Sequence, residues 1–243
     1  MERGLYIAAS GMLAAEIRQD VIANRLANAT NPGFKGEVIV QQAFQDLLLS
    51  NTQTGDPIGP LSMGTQIALI KPSLENKGFR WTQNALDLAI GGSGWFVAQT
   101  AQGKVYTRNG AFTTDADGFL VTAQGDKVLG KDGNPLNLSG GGRITIARNG
   151  EVRVGGKLVG SIDVVALKPD SVAKLGENYV SGTVDPAAKV GQVAQGALET
   201  ANVNTVNEMV ALIENMRNFE ADQKAIRALD DTLDKAVNQI GRV

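Results

Sequence analysis

Apolar residues recur at helical spacing near both ends of this chain, and they alternate over short runs between. Leu5, Ala9, Met12, Leu13, Ile17, Val21 and Leu26 keep to one broad helical face, which stops at the breaker Asn31-Pro32-Gly33. Near the other end Val206, Met209, Val210, Ile213, Met216 and Phe219 form a second stripe. Ile226, Leu229, Leu233, Val237 and Ile240 extend it in steps close to a coiled-coil seam. Thr205 followed by Glu208 reads as a capping box, and Gly241 as a stop. A helix over 205–240 would be about 54 Å long at roughly 1.5 Å per residue, more than one small domain covers. One terminal helix can cover one face of the other. The rest of both stripes is expected to be buried in other subunits, which makes these residues the expected assembly interface.

The middle of the chain predicts strands. Asn109-Gly110, Asp117-Gly118, Asp132-Gly133 and Asn149-Gly150 have hairpin-turn chemistry, and short alternating runs such as 104–108, 143–147 and 151–154 lie between them. Residues 157–167 predict one longer strand. Residues 34–65 read as a connector whose 51–60 portion is a loop. The expected fold class is α+β: long N- and C-terminal helices packed together, and a central all-β domain of short antiparallel strands, as a distorted barrel or sandwich. The expected boundaries are an N-terminal helix within 1–33, a connector 34–65, a β-rich domain 66–195 and a C-terminal helix within 196–243. The helices flank the β domain in sequence and are expected to meet in space, as a helical base under a β head.

Composition narrows the function. With 43% hydrophobic and 20% charged residues, the 243-residue chain is not disordered by composition. A formal charge of −2 gives no bulk attraction to nucleic acid. There is no Cys and no His, which removes disulfides, thiolate chemistry, the usual zinc sites and imidazole bases together. No apolar run approaches the ~20 residues of a membrane span. Residues 4–15 loosely resemble a signal-peptide core, but the helical pattern continues past Glu16, so cleavage would cut a helix in half.

The remaining candidate chemistry is weak. Gly91-Gly-Ser-Gly94 lacks the Lys-Ser/Thr ending of a phosphate loop and reads as a turn between strands. Asp115-Ala-Asp-Gly118 has the wrong spacing for a calcium loop and reads as a hairpin turn. Asp230, Asp231 and Asp234 read as a solvated or inter-subunit face rather than a metal site. Trp81 and Trp95 could form a sugar platform, but core positions are expected for both. No nucleophile, base and orienting group assemble, so no enzyme and no cofactor are expected.

Three stretches, in order, carry a resemblance. The stretch 21–35, VIANRLANATNPGFK, resembles the N-terminal signature of bacterial flagellar rod and hook proteins through Asn24, Leu26, Ala27, Asn28, Gly33 and Phe34. Arg25 stands where that family usually has a second Asn. The stretch 195–204, QGALETANVN, with Asn202, Val203 and Asn204, then EMV at 208–210 and RNFE at 217–220, resembles their C-terminal signature. Between them NALDLAI at 84–90, GWF at 94–96, YTR at 106–108 and DADG at 115–118 resemble the central region of basal-body rod proteins. The resemblance implies a non-enzymatic axial subunit of the flagellar basal body, with terminal helices inside a tube and β domains outside, transmitting torque from motor to hook. It implies partners as well: further copies, other rod or hook subunits, and the flagellar type III export apparatus, without loss of a signal peptide. The proximal and distal rod types share these motifs and both stay open, while a hook protein's extra outer domain does not fit. A second class is a β-rich binding module or adhesin with oligomerising helical ends. Truncation separates the two, since an adhesin head would bind its ligand without 1–30 and 200–243.

Overall fold

The computed structural model describes residues 2–240 except 45–46, 51–53, 55, 62–63 and 177. Two compact units emerge. One holds residues 1–27, 37–70 and 204–243; the other holds 28–36 and 71–203.

The first unit is built on α1 (Glu2–Ala27) and α2 (Thr205–Lys235), packed against one another. A π-helical turn, Ala236–Ile240, prolongs α2. The start of α2 differs from the capping box expected at Thr205. Asn204 is the cap: its side-chain oxygen accepts from the backbone N–H of Val206 at 3.0 Å and of Asn207 at 3.2 Å. Asn204 has the extended backbone a cap needs (φ −110°, ψ 112°) and its amide oxygen reaches those donors, while Glu208 pairs with Arg25 instead. Gly241 lies outside the described residues. Strand Glu37–Ala43 pairs with Thr65–Pro72, and Ser10 ties α1 to the second of these by accepting from Thr65 N–H at 3.2 Å. Part of the expected 51–60 loop is ordered differently. Pro57–Leu61 is a strand paired antiparallel with Leu47–Ser50, a two-stranded ribbon in which each strand keeps an open edge and proline is tolerated.

The second unit is all β. Strand Trp95–Thr100 is the hub of an eight-stranded antiparallel sheet, flanked by Gly103–Thr107 and Lys127–Val128, with Val164–Val165 pairing it off the main path. Ile144–Ile146, Glu151–Val154 and Lys157–Ser161 form a separate meander. Both contribute to one core, in which Leu88, Ile90, Phe96, Phe112, Leu120, Val128, Val152 and Ile162 are at most 2% exposed. The Phe96 and Phe112 rings meet edge to face at 5.2 Å. Fully burying each such side chain is worth about 1.5–3 kcal/mol. The single strand expected over 157–167 is broken, because Ile162 leaves the meander to fill the core and bridges Gly130.

The turn chemistry holds at Gly118, Gly133 and Gly150, all at positive φ. Gly110 is different. It passes so close to Leu88 that a Cβ would lie 1.7 Å from the Leu88 carbonyl oxygen, and Leu88 N–H donates to the Gly110 carbonyl at 3.0 Å. It is a close-approach glycine rather than a hairpin glycine. The Gly91–Gly94 stretch is a turn between two strands, as its sequence suggests.

Candidate functional site

The helix pair uses an inner face that the apolar stripes mark only in part. On α2 the positions Glu208, Leu212, Asn215, Phe219, Asp222, Ile226, Leu229 and Leu233 are all shielded, in strict 4,3 steps. On α1 the matching positions are Gly4, Ala8, Gly11, Ala15, Arg18, Ile22 and Arg25. The helices run antiparallel. A Cβ on Gly4 would lie 3.1 Å from a Leu229 methyl, and one on Gly11 would lie 2.7 Å from an Asp222 carboxylate oxygen. Further along, Asn215 Nδ2 donates to the Ala15 carbonyl at 2.8 Å, and Arg25 pairs with Glu208 at 3.3 Å. Small residues on α1 therefore let α2 approach closely, while polar groups punctuate the seam.

The sequence-predicted interface residues divide by this seam. Phe219, Ile226, Leu229 and Leu233 are half-buried, with Leu229 facing Gly4. Leu5, Met12 and Leu26 are also half-buried, and Val21 is buried. By contrast Leu13 is 62% exposed, and Ile17 is exposed with it. The whole first part of the α2 stripe is open to solvent: Val206, Met209, Val210, Ile213 and Met216, each at 47% or more. Val237 is exposed too, and the side chain of Ile240 lies outside the described residues. The bare side chains Val206, Met209, Val210, Ile213 and Met216 share one face of α2 and form a patch of a kind that marks an interaction site.

The family-motif residues belong mostly to the β unit. Asn24 and Ala27 are exposed on the last turns of α1. Asn28 begins the 28–36 segment, where it is buried and its side-chain oxygen accepts from Asn31 Nδ2 at 2.7 Å. Gly33 needs both its positive φ (68°) and its missing side chain, since a Cβ would lie 2.3 Å from the Arg108 carbonyl. Phe34 is 1% exposed, with the Lys174 ammonium over its ring at 4.5 Å. Asn202 accepts from Gly36 N–H at 2.7 Å and donates to the Ser73 carbonyl at 3.2 Å, stapling three passes of the chain. Val203 is half-buried beside it, and Asn204 is the α2 cap already described.

Beneath this segment lies a buried ion cluster that the sequence reading did not single out. Lys35 Nζ donates to Glu199 Oε1 at 2.8 Å, to the Glu75 carbonyl at 2.7 Å and to Asn76 Oδ1 at 2.7 Å. Arg108 donates to Glu199 Oε2 at 3.0 Å and to the Gly92 carbonyl at 2.7 Å, with its guanidinium over Trp95. All three charged side chains are at most 5% exposed. Burial pushes both the Lys35 ammonium and the Arg108 guanidinium below their ordinary values, and the attraction of Glu199 opposes this at each. The chemistry available is charge-locked positioning of the 28–36 and 199–203 segments, not proton transfer to a substrate. Among the described residues there is no group of three or more acidic, Cys or His side chains placed to hold a metal ion, and no helix is long and apolar enough to cross a membrane.

Paired terminal helices that leave an apolar face bare are the arrangement of a subunit that assembles through its helices. The comparisons specify which kind. Residues 5–35 match the family described as flagella basal body rod protein, and residues 89–154 match the D1 domain of the flagellar hook protein FlgE/F/G. Residues 194–240 match the C-terminal region of the flagellar basal body rod FlgEFG proteins. Flagellar basal-body rod protein FlgF of Caulobacter vibrioides is 31% identical, with 100% of both chains covered. FlgF of Rhizobium meliloti is 33% identical, with 99% of each covered. Flagellar basal-body rod protein FlgG of Bacillus subtilis is 31% identical over 98% of this chain and 99% of that one. The chain belongs to the flagellar basal-body rod protein family.

Proposed function

We propose that this chain is a structural, self-assembling axial subunit of the bacterial flagellar basal-body rod, without enzymatic activity, passing torque along the axis. The observation that carries the reading is the division of α2. Its inner face is already covered by α1, yet Val206, Met209, Val210, Ile213 and Met216 are bare. Removing such surface from water contributes about 25 cal/mol per Å², so neighbouring subunits have a strong reason to cover it. Ile213→Asp with Met209→Asp puts two charges into that contact. Subunits should still be made and exported, but rods should not be completed. Normal motility in the double variant would sink the reading.

Export is proposed to run through the flagellar type III apparatus with the N-terminus intact. Residues Gly4, Ala8, Gly11 and Ala15 are four of the seven α1 seam positions, so loss of residues 1–15 would remove about half of that side. Gly4 and Gly11 each lower the helicity of the lone segment by about 1 kcal/mol, which favours an unfolded leader before assembly. Mass spectrometry of the subunit recovered from basal bodies should find Met1 or Glu2 first; a start near residue 16 would refute it.

A further inference from the structure

One stretch of the β unit is built unlike the rest. Among the described residues, strand Phe79–Trp81 pairs on one side only, with Ala197–Glu199. Its partner's residues are all buried, whereas its own three are all exposed. Phe79 and Trp81 are two apart and share one strand face. Trp81 is 69% exposed, against 6% for Trp95, so the core position expected for both tryptophans holds only for Trp95. Gln83, two residues on, is the non-glycine residue held at positive φ (62°) among the described residues. Strain of that kind clusters at functional sites. Between them, the Thr82 hydroxyl is buried without a hydrogen-bond partner among the described residues.

Trp81 separates two grooves. One, of about 490 Å³, is lined by Phe79, Trp81, Arg148 and residues 192–195. The other, of about 420 Å³, is lined by Trp81, Gln83, Ala85 and Arg143. Neither lining contains an acidic residue. The Arg143 and Arg148 guanidinium groups have no ion-pair partner among the described residues. An exposed aromatic ridge flanked by two unpaired cations suits an acidic protein segment, with Trp as anchor and Arg at its rim.

The chain itself carries such a segment. The Asp115–Gly118 turn is preformed, because Asp115 Oδ1 accepts from the N–H of Asp117 at 3.1 Å and of Phe119 at 2.7 Å. That leaves Ala116 and Asp117 exposed at its tip. The Asp117 carboxylate makes no ion pair or hydrogen bond among the described residues, unlike the carboxylates of Asp126, Asp132 and Asp170, which are engaged. A contact between two different patches of one chain is head-to-tail, and it propagates into an open helical assembly where the rotation does not close a ring.

We propose that the Phe79–Trp81 face, with Arg143 and Arg148, docks the Asp115–Gly118 turn of a second copy of this chain. The proposal rests on the axial self-assembly reading above. The chain has no cysteine, so introduced pairs report without background. Full-length Ala85→Cys and Ala116→Cys copies are expressed together, basal bodies are isolated under mild oxidation, and disulfides are mapped by mass spectrometry. A disulfide joining position 85 of one copy to position 116 of another is expected, absent from either variant alone. Arg143→Glu with Arg148→Glu in the first copy should lower its yield about tenfold, and Asp117→Lys in the second should restore it. If the chain is present in the basal bodies and the link is absent, or the thiol introduced at position 85 joins a different protein, the docking proposal falls while the axial reading stands. If the chain is absent from the basal bodies, both fall.

Discussion

The helix seam and the β core differ in the size of the side chains they bury most deeply. In the β unit the largest apolar residues are innermost: Phe34, Phe96, Phe112, Leu88 and Ile90 are all at most 2% exposed. In the helical unit the fully covered positions are Ala8, Ala14, Ala15, Val21, Ile22 and Asn215, while Tyr6, Leu13, Val206, Ile213 and Met216 face out. A lone globular domain arranges itself as the β unit does. The helical unit's inversion is what a subunit shows when its larger contact is made with other chains. The β unit is therefore expected to carry the stability of the isolated chain, and the helices to gain theirs on assembly.

The largest effect should come from the ion cluster. Glu199→Ala leaves the Lys35 and Arg108 charges buried without their shared carboxylate. Breaking such a pair costs about 3–5 kcal/mol, enough to consume much of a domain's stability. Urea unfolding followed by tryptophan fluorescence, whose change comes mainly from the buried Trp95 because Trp81 is already exposed, should show a midpoint far below that of the parent chain. An unchanged midpoint would mean the cluster is not holding the unit.

A smaller loss is expected at Gly11. Gly11→Leu places side-chain atoms where a Cβ already lies 2.7 Å from Asp222. The Asp222 carboxylate can swing aside, but the rest of the leucine must still enter the seam. Overpacking of about 1–3 kcal/mol, set against about 1 kcal/mol of regained helix propensity, leaves a net loss of up to about 2 kcal/mol. The helical signal in circular dichroism should melt earlier while the β unit's transition stays where it was. A shift in the β transition instead would show that the two regions are not energetically separate.

These substitutions also show what the sequence discloses and what it does not. The helices were legible because Leu229, Leu233 and their neighbours repeat at coiled-coil steps. The β unit was legible because Gly118, Gly133 and Gly150 sit in turns that need positive φ. The α2 stripe hid a division, since Val206 to Met216 and Phe219 to Leu233 lie on different faces of one helix. The inner face of α1 was missed because hydrophobic periodicity ignores Gly and Ala, although Gly4, Ala8, Gly11 and Ala15 already stood at 4,3,4 spacing. The ion cluster had no local signal. Lys35, Arg108 and Glu199 each lie inside a quoted motif, but only tertiary folding brings positions 91 and 164 residues apart onto one carboxylate.

A pH-dependent difference of modest size should appear at Tyr179. Its hydroxyl bonds Asp126 and Thr122, and burial together with the Asp126 carboxylate pushes its pKa up to about 12. Between the ordinary value near 10 and about 12 the folded chain holds a proton that the unfolded chain has released. Stability from this group is full below pH 10 and is lost as pH rises toward 12. Tyr179→Phe should flatten that part of the stability profile. An identical alkaline slope in both chains would place the titration elsewhere.

The smallest expected change in stability is at Asn215, and it separates stability from specificity. Asn215 is 2% exposed in the seam, and its Nδ2 donates to the Ala15 carbonyl while its Oδ1 has no partner among the described residues. Asn215→Leu removes that unmatched oxygen and adds apolar contact, but it gives up one hydrogen bond worth about 0.5–1.5 kcal/mol. The two changes oppose each other, so the net should stay within about 1 kcal/mol. Register is another matter. With Gly4, Ala8, Gly11 and Ala15 as its neighbours on α1, a leucine at 215 can slide by a turn without losing a specific partner, whereas an amide cannot. Spin labels at exposed positions 13 and 216 should therefore give a single distance in the parent chain and a broadened or split distribution in Asn215→Leu. One narrow, unshifted distance in the variant would show that the Arg25–Glu208 pair and the close approach at Gly11 fix the register without Asn215.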